Sequence, residues 1–223
     1  MSKSVTEIIW EIYPFKWNFF QRALSYDTLK TKALEPGSIA ESAMHLEASQ
    51  VLRVLNSYGS FAHRMAKRIA NWHDVSVDDP LLKAIRFWLL DFFHTYRVKP
   101  ILNEWTFTLP WEYGGTLDML CEIEWKSVRR ICVLDFKTWN LYRRIYGIWD
   151  YDITSSTFTK KEKTVGLQLS MYANAIQKLR PEIFWARGFM LLAVHITTDG
   201  IFPYETQYSI TEYENWKNLQ SPN

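Results

Sequence analysis

The chain has 223 residues, 48% hydrophobic and 22% charged, with a formal net charge of +2. This fits one soluble globular domain with a substantial core, or one domain plus a helical extension, and the small net charge excludes a global basic surface, so any nucleic-acid contact must be a local patch. Two cysteines, Cys121 and Cys132, exclude a disulfide scaffold and a four-cysteine cluster from this chain alone, and no stretch approaches about 20 uninterrupted apolar residues, which excludes a helical membrane span.

No internal repeat or low-complexity tract interrupts the chain. Met1 to Trp10 carries Glu7 and no long apolar run, so it does not read as a signal peptide, and an intracellular, cytoplasmic location is expected (that of the host cell if the protein is viral). Residues 4–30 read as short helices around Pro14. Pro36-Gly37-Ser38 starts a strong helix to about Tyr58, with Ser38 as N-cap and Glu41 three residues on in a capping-box pattern. A second long helix is expected from Pro80 to Tyr96, where Leu81, Leu82, Ile85, Trp88, Leu89 and Phe92 recur at helical spacing.

The pattern then switches to period two. Trp105, Phe107 and Leu109 alternate with Glu104, Thr106 and Thr108, predicting a strand over 104–109. Tyr113-Gly114-Gly115 is a turn signal, and strands follow over 115–125 and 130–138 around a polar turn at Lys126-Ser127. Both cysteines fall in these apolar strands and read as small core residues. Residues 139–163 have no clear period, 164–180 read as a helix ended by Pro181, and 186–196 are nearly continuously apolar, as in a strand buried on both faces. A strand near 204–209 and an amphipathic helix near 211–219 close the chain. The order of helix, three strands beginning antiparallel, helix and strand predicts an α/β domain with a mixed central sheet.

Asp118 and the Asp135-Phe136-Lys137 triplet carry the chemistry. Side chains alternate along a strand, so Asp135 and Lys137 share one face with Ile131 and Val133, a face expected under a helix. Asp118 is expected on the face opposite Leu117 and Met119. Seventeen residues across a hairpin let Asp118 and Asp135 meet near one end of the sheet. Two converging carboxylates repel, and a hard cation such as Mg²⁺ or Mn²⁺ resolves this, with the Phe136 carbonyl as a further ligand. Such an ion polarises a phosphodiester and acidifies a water, while Lys137 orients that water or stabilises the developing charge. A bare Asp-x-Lys is otherwise a common salt-bridged pair at a strand end. There is no phosphate-binding G-x-x-x-x-G-K-[ST], no zinc spacing among the five histidines and no G-x-S-x-G elbow.

Over about residues 37–197 the chain resembles the PD-(D/E)xK nuclease superfamily, in particular its RecB-like and lambda-exonuclease-like branch. The resemblance rests on Gly115-Thr116-Leu117-Asp118 as G-x-x-D, Asp135-Phe136-Lys137 as D-x-K with Thr138 after it, and Gln168-Leu169-Ser170-Met171-Tyr172 as Q-x-x-x-Y. It implies a restriction-endonuclease-like core over 37–197, a helical extension over 1–36, a C-terminal strand and helix over 198–223, and a single domain. It also implies that Gln168 and Tyr172 face the site. The family's G-x-x-x-H or G-x-x-x-E helix motif is matched by Gly37 to Glu41, making Glu41 a third metal ligand or a helix cap. His45, one turn on, faces either the site or the structure, and Glu104, where relatives often carry Glu, otherwise reads as an exposed strand residue. Iron–sulfur members have Cys-Pro near the N-terminus and three later cysteines. This chain has Tyr13-Pro14-Phe15-Lys16-Trp17, so no iron–sulfur cluster is expected.

Between D-x-K and Q-x-x-x-Y lie Trp139, Tyr142, Arg143, Arg144, Lys160, Lys161 and Lys163, a mixture suited to single-stranded DNA, although a solvated loop explains it equally. The expectation is a Mg²⁺- or Mn²⁺-dependent deoxyribonuclease acting on DNA ends or flaps in repair, recombination or viral genome processing. It would work as a homo-oligomer or with a recombination or replication partner, away from membranes. Exonuclease action comes from the resemblance alone. The alternatives are a structure- or site-specific endonuclease of the same fold and a catalytically silent DNA-binding subunit.

Overall fold

A computed structural model describes residues 2–13, 48–73, 75–78, 80–138, 156–184, 189–196 and 200–220. Its elements, in chain order, are β1 (Lys3–Ser4), α1 (Val5–Ile12), α2 (Ala48–Ala70), α3 (Pro80–Thr95), β2 (Lys99–Thr108), β3 (Tyr113–Trp125), β4 (Val128–Lys137), α4 (Ser156–Leu179), α5 (Pro181–Phe184), β5 (Phe189–Ile196), β6 (Ile201–Thr206) and α6 (Thr211–Gln220). These form a mixed α/β architecture around a six-stranded sheet. Strands β2, β3 and β4 are antiparallel neighbours, β5 joins β4 in parallel after the helical crossover through α4, and β6 returns antiparallel on β5.

Two apolar layers sandwich the sheet. On one face, Val5, Ile8 and Ile9 of α1, Val165, Leu169 and Ile176 of α4 and Tyr213 of α6 pack on Leu117, Leu120, Val133 and Leu191. On the other, Ala62, Met65 and Ala66 of α2 and Ile85, Leu89 and Phe92 of α3 pack on Cys121, Ile123, Cys132, Leu134 and Leu192. Strand β5 is buried on both faces, as its apolar run predicts, and both cysteines are buried, free thiols. Among the described residues no helix is long and apolar enough to cross a membrane.

Several boundaries differ from the sequence expectation. The first long helix continues past Tyr58 to Ala70, reading through Gly59, and the expected stretch 38–47 lies outside the described residues. Gly59 is kept there by close approach: a Cβ would lie 2.9 Å from Thr138 Oγ1. Strand β2 begins five residues early, at Lys99, with an irregular register between Pro100 and Leu102 hiding its alternation. Helix α4 begins at Ser156 rather than 164, so Lys160, Lys161 and Lys163 sit in its first turns and not in a loop. Lys and Glu are good helix formers whose exposed turns carry no apolar period. The last strand is Ile201–Thr206 rather than 204–209, and its Pro203 suits its place at the end of the sheet order.

The N-terminus contributes a feature that the sequence does not announce. Lys3 and Ser4 pair in parallel with Tyr113 and Gly114, and Ser4 then caps α1 in a full capping box with Glu7. Tyr113 is fully buried beneath this pairing. Its hydroxyl donates to the Met171 carbonyl at 2.9 Å and accepts from Asn174 Nδ2 at 2.7 Å, tying β3 to α4. The Tyr113→Phe variant leaves a buried amide and a carbonyl without that partner. It is expected to lose about 1–3 kcal/mol of stability, read as a lower urea midpoint at unchanged slope.

Candidate active site

The site forms where β3 and β4 part company. Their ladder runs from Trp125↔Val128 to Met119↔Leu134 and stops. One residue further, Asp118 replaces the missing strand partner: its Oδ2 accepts the Phe136 backbone N–H at 2.8 Å. Beyond it β1 takes the place beside β3, at Tyr113 and Gly114. The strands therefore splay around a wedge with Asp118 at its apex.

Alternation also breaks here. Leu117 and Leu120 pack in the α1/α4 layer while Met119 packs in the α2/α3 layer, so Leu117 and Met119 do not share a face, contrary to the strict alternation expected. On β2, Glu104 lies between the pairs Asn103↔Met119 and Trp105↔Leu117 with φ of 53°, a left-handed conformation costly for a residue with a side chain. The kink on both strands turns Asp118 toward α2, where His63 Nδ1 lies 3.2 Å from its Oδ2.

Asp135 and Lys137 follow the expected alternation and lie under α4. Lys137 Nζ is 2.5 Å from Asp135 Oδ2 and donates to Gln168 Oε1 at 3.0 Å, and Gln168 Nε2 donates to the Tyr172 hydroxyl at 2.9 Å. A lysine only donates, so the amide of Gln168 has a single sensible orientation. The D-x-K and Q-x-x-x-Y residues thus form one hydrogen-bonded chain. Gly115 makes room for it: a Cβ there would meet Tyr172 Cε1 at 3.1 Å and Val5 Cγ2 at 3.2 Å.

Burial sets the electrostatics. Asp135 is 2% exposed, and desolvation pushes its carboxyl up to about 6 against the pull of the Lys137 ammonium, with the negative charge of Asp118 adding to the rise. Asp118 is also subject to desolvation, but its hydrogen bond and attraction to His63, with help from Lys137 and the Phe136 N–H, hold it below the usual carboxylate range. For His63, burial alone would favour the neutral ring. The hydrogen bond and charge of Asp118, and the charge of Asp135, outweigh it and raise the imidazole.

An open cleft of about 610 Å³ leads in, lined by Gly59, Ser60, His63, Arg64, Glu104, Thr116, Asp118 and Thr138. Glu104 is half-buried on this wall, which corrects the exposed-strand reading. Glu41, His45, Trp139, Tyr142, Arg143 and Arg144 lie outside the described residues, Lys163 is exposed on α4, and of Lys160 and Lys161 only the helical backbone is described. Among the described residues no group of three or more acidic, His or Cys side chains is arranged to hold a metal ion. The donors present are the two carboxylates, with Asp135 Oδ2 buried and lacking a well-directed hydrogen bond, and the neighbouring imidazole. Two carboxylate oxygens suit Mg²⁺ or Mn²⁺, which usually keep several waters of their own.

His63 is the residue that sequence reading missed. Its signal was present: Gly59-Ser60-Phe61-Ala62-His63 is a G-x-x-x-H, the His form of the pattern assigned to Gly37 and Glu41. Compared with known proteins, the chain matches no family model and no curated relative.

The His63 resonances are expected to titrate above the usual value of 6.5 and to fall toward or below it in Asp118→Asn, measured by proton–carbon NMR. The sign for stability follows. A raised histidine stabilises the fold fully below its unfolded value, and that contribution is lost as pH rises through the folded one. The stability gap between wild type and His63→Gln should therefore narrow above neutral pH. Gly115→Ala should displace the Tyr172 ring and cost about 1–3 kcal/mol, read by thermal denaturation.

Proposed function

We propose that this protein is a divalent-metal-dependent deoxyribonuclease built on a restriction-endonuclease-like core of the PD-(D/E)xK type. One observation carries the reading: Asp118 and the Asp135–Lys137 pair converge at a single splayed strand end, with Lys137 held by Gln168. A salt-bridged Asp-x-Lys with no further role would not need a second carboxylate, a histidine and a Gln–Tyr brace around it.

In this reading Asp118, Asp135 and the Phe136 carbonyl would hold the cation, and His63 would either join them or fix the Asp118 rotamer. The bound ion supplies Lewis-acid polarisation of the phosphodiester and acidifies the attacking water. Lys137 swings between Asp135 and the water, and its hydrogen bond to Gln168 sets the position from which it acts. Tyr172 keeps the Gln168 amide from rotating. Arg64 and the Thr116 and Thr138 hydroxyls on the cleft wall contact the phosphates on either side of the scissile bond. DNA ends or flaps are the proposed substrates, in repair, recombination or viral genome processing.

The test uses end-labelled single- and double-stranded DNA, linear and circular, with Mg²⁺, Mn²⁺ or EDTA. Metal-dependent degradation is expected, with Lys137→Ala slower by at least about 100-fold. Sparing of circles identifies an exonuclease and nicking of circles an endonuclease. Binding without cleavage under every metal would overturn the proposal in favour of a silent DNA-binding subunit.

A further inference from the structure

Helix α2 carries a one-sided charge that the chemistry above does not use. Between Ala48 and His73 the chain has Arg53, Arg64, Lys67 and Arg68 and no Asp or Glu. Arg64, Lys67 and Arg68 are all exposed. Arg64 lines the catalytic cleft, and Lys67 and Asn71 continue from it at helical spacing along the outer face. Strand β2 runs beside them. Asn103 Nδ2 donates to the Lys67 carbonyl at 3.2 Å and lies 3.4 Å from Asn71 Oδ1, while Ile101 and Lys99 are exposed along the same strand.

The stripe ends at a second cavity, of about 500 Å³, outside the catalytic cleft. Its wall combines Trp72 and Phe93 with the cationic or polar His73, Arg86 and His94 over an apolar base that includes Leu90. Trp72 is 90% exposed, so its indole face is presented rather than packed. A volume of this size is in the usual range for a small-molecule site, yet it sits at the end of a basic track that starts at the scissile position. Helix α2 runs seven residues on from His63 to Ala70, about 10 Å at 1.5 Å per residue, and Asn71 and Trp72 form the turn that follows it, Trp72 with φ of 60°. That is the reach of a few nucleotides of an unpaired strand.

From this continuity we propose that a single DNA strand leaves the catalytic cleft along α2, its phosphates on Arg64 and Lys67, and that a base a few nucleotides from the scissile bond stacks on Trp72 in the second cavity. A single strand is specified because only an unpaired base exposes its face to the indole. The inference rests on the nuclease reading for its starting point, and it names the substrate class that reading leaves open.

The experiment measures fluorescence anisotropy of a labelled twelve-residue oligothymidylate with the full chain in EDTA, so that binding is separated from cleavage. Trp72→Ala is expected to weaken binding about five- to a hundred-fold. Trp72→Phe should stay close to wild type, because it keeps an aromatic face. Lys67→Ala should weaken binding and lower the salt dependence by about one phosphate contact. A single abasic position, moved stepwise from the reacting end, should reproduce the Trp72→Ala loss at one place a few nucleotides in and not elsewhere. Wild-type affinity in Trp72→Ala, an equal loss in Trp72→Phe, or no binding by the wild type would each overturn the proposal. Circular dichroism confirms folding of each variant. Lys137-dependent cleavage with Trp72-independent binding removes the track and keeps the nuclease; Trp72-dependent binding without cleavage does the reverse.

Discussion

The parting of β3 from β4 after Met119↔Leu134 is the constraint on which the rest depends. A sheet strand that loses its neighbour exposes backbone donors and acceptors, and buried ones must be paired. Here the replacements are specific. The Asp118 carboxylate takes the Phe136 N–H, and β1 takes the edge beside Tyr113 and Gly114. Close packing then favours glycine at both Gly115 and Gly59, where a Cβ would lie 3.1 Å from Tyr172 Cε1 and 2.9 Å from Thr138 Oγ1. The opening is thus a built feature, its edges fixed by specific hydrogen bonds and by close approach at two glycines.

Into that opening the fold brings two carboxylates, an ammonium and an imidazole. Such a group costs the fold desolvation energy, and replacing buried ion pairs by apolar residues is often neutral or stabilising. What it achieves is a pair of acids pushed in opposite directions: Asp135 up, by burial, and Asp118 down, by His63. Titratable groups whose environments separate them in this way are characteristic of sites that do chemistry, although structural ion pairs can do the same. The Gln168–Tyr172 brace favours the first reading, because it orients Lys137 from a different element with a second hydrogen bond behind the first.

Much of this was legible in the chain, for identifiable reasons. Buried strands write themselves as apolar runs, so β5 and the Asp135/Lys137 face followed from alternation alone. Helix α3 followed from its apolar spacing. What stayed hidden were departures from regularity. The break at Asp118 puts Leu117 and Met119 in different layers, and no periodicity predicts a residue that breaks its own period. Of the two readings open for Glu104, the exposed-strand one fails for the same reason, since the kink sets it on the cleft wall. His63 is hidden because a histidine within a long helix carries no signal by itself, and because Gly37 to Glu41 offers a second match to the same kind of pattern. The pairing of Lys3–Ser4 with Tyr113–Gly114 escaped because two residues are too few to show a period.

The stitching of α1 to α6 has a consequence for how the molecule is made. Trp216 Nε1 donates to Glu11 across 205 positions of chain, and Tyr13 reaches Glu212 across 199. Contacts of such separation form last, because the intervening chain must be ordered before they can close. On the ribosome, the layer over α1 is therefore completed only when α6 emerges, and a nascent chain stalled before residue 211 would hold Ile8 and Ile9 against α4 and the sheet without Tyr213 and Trp216 to close that layer. The interval between synthesis of the first helix and the last is when this protein would most need a chaperone.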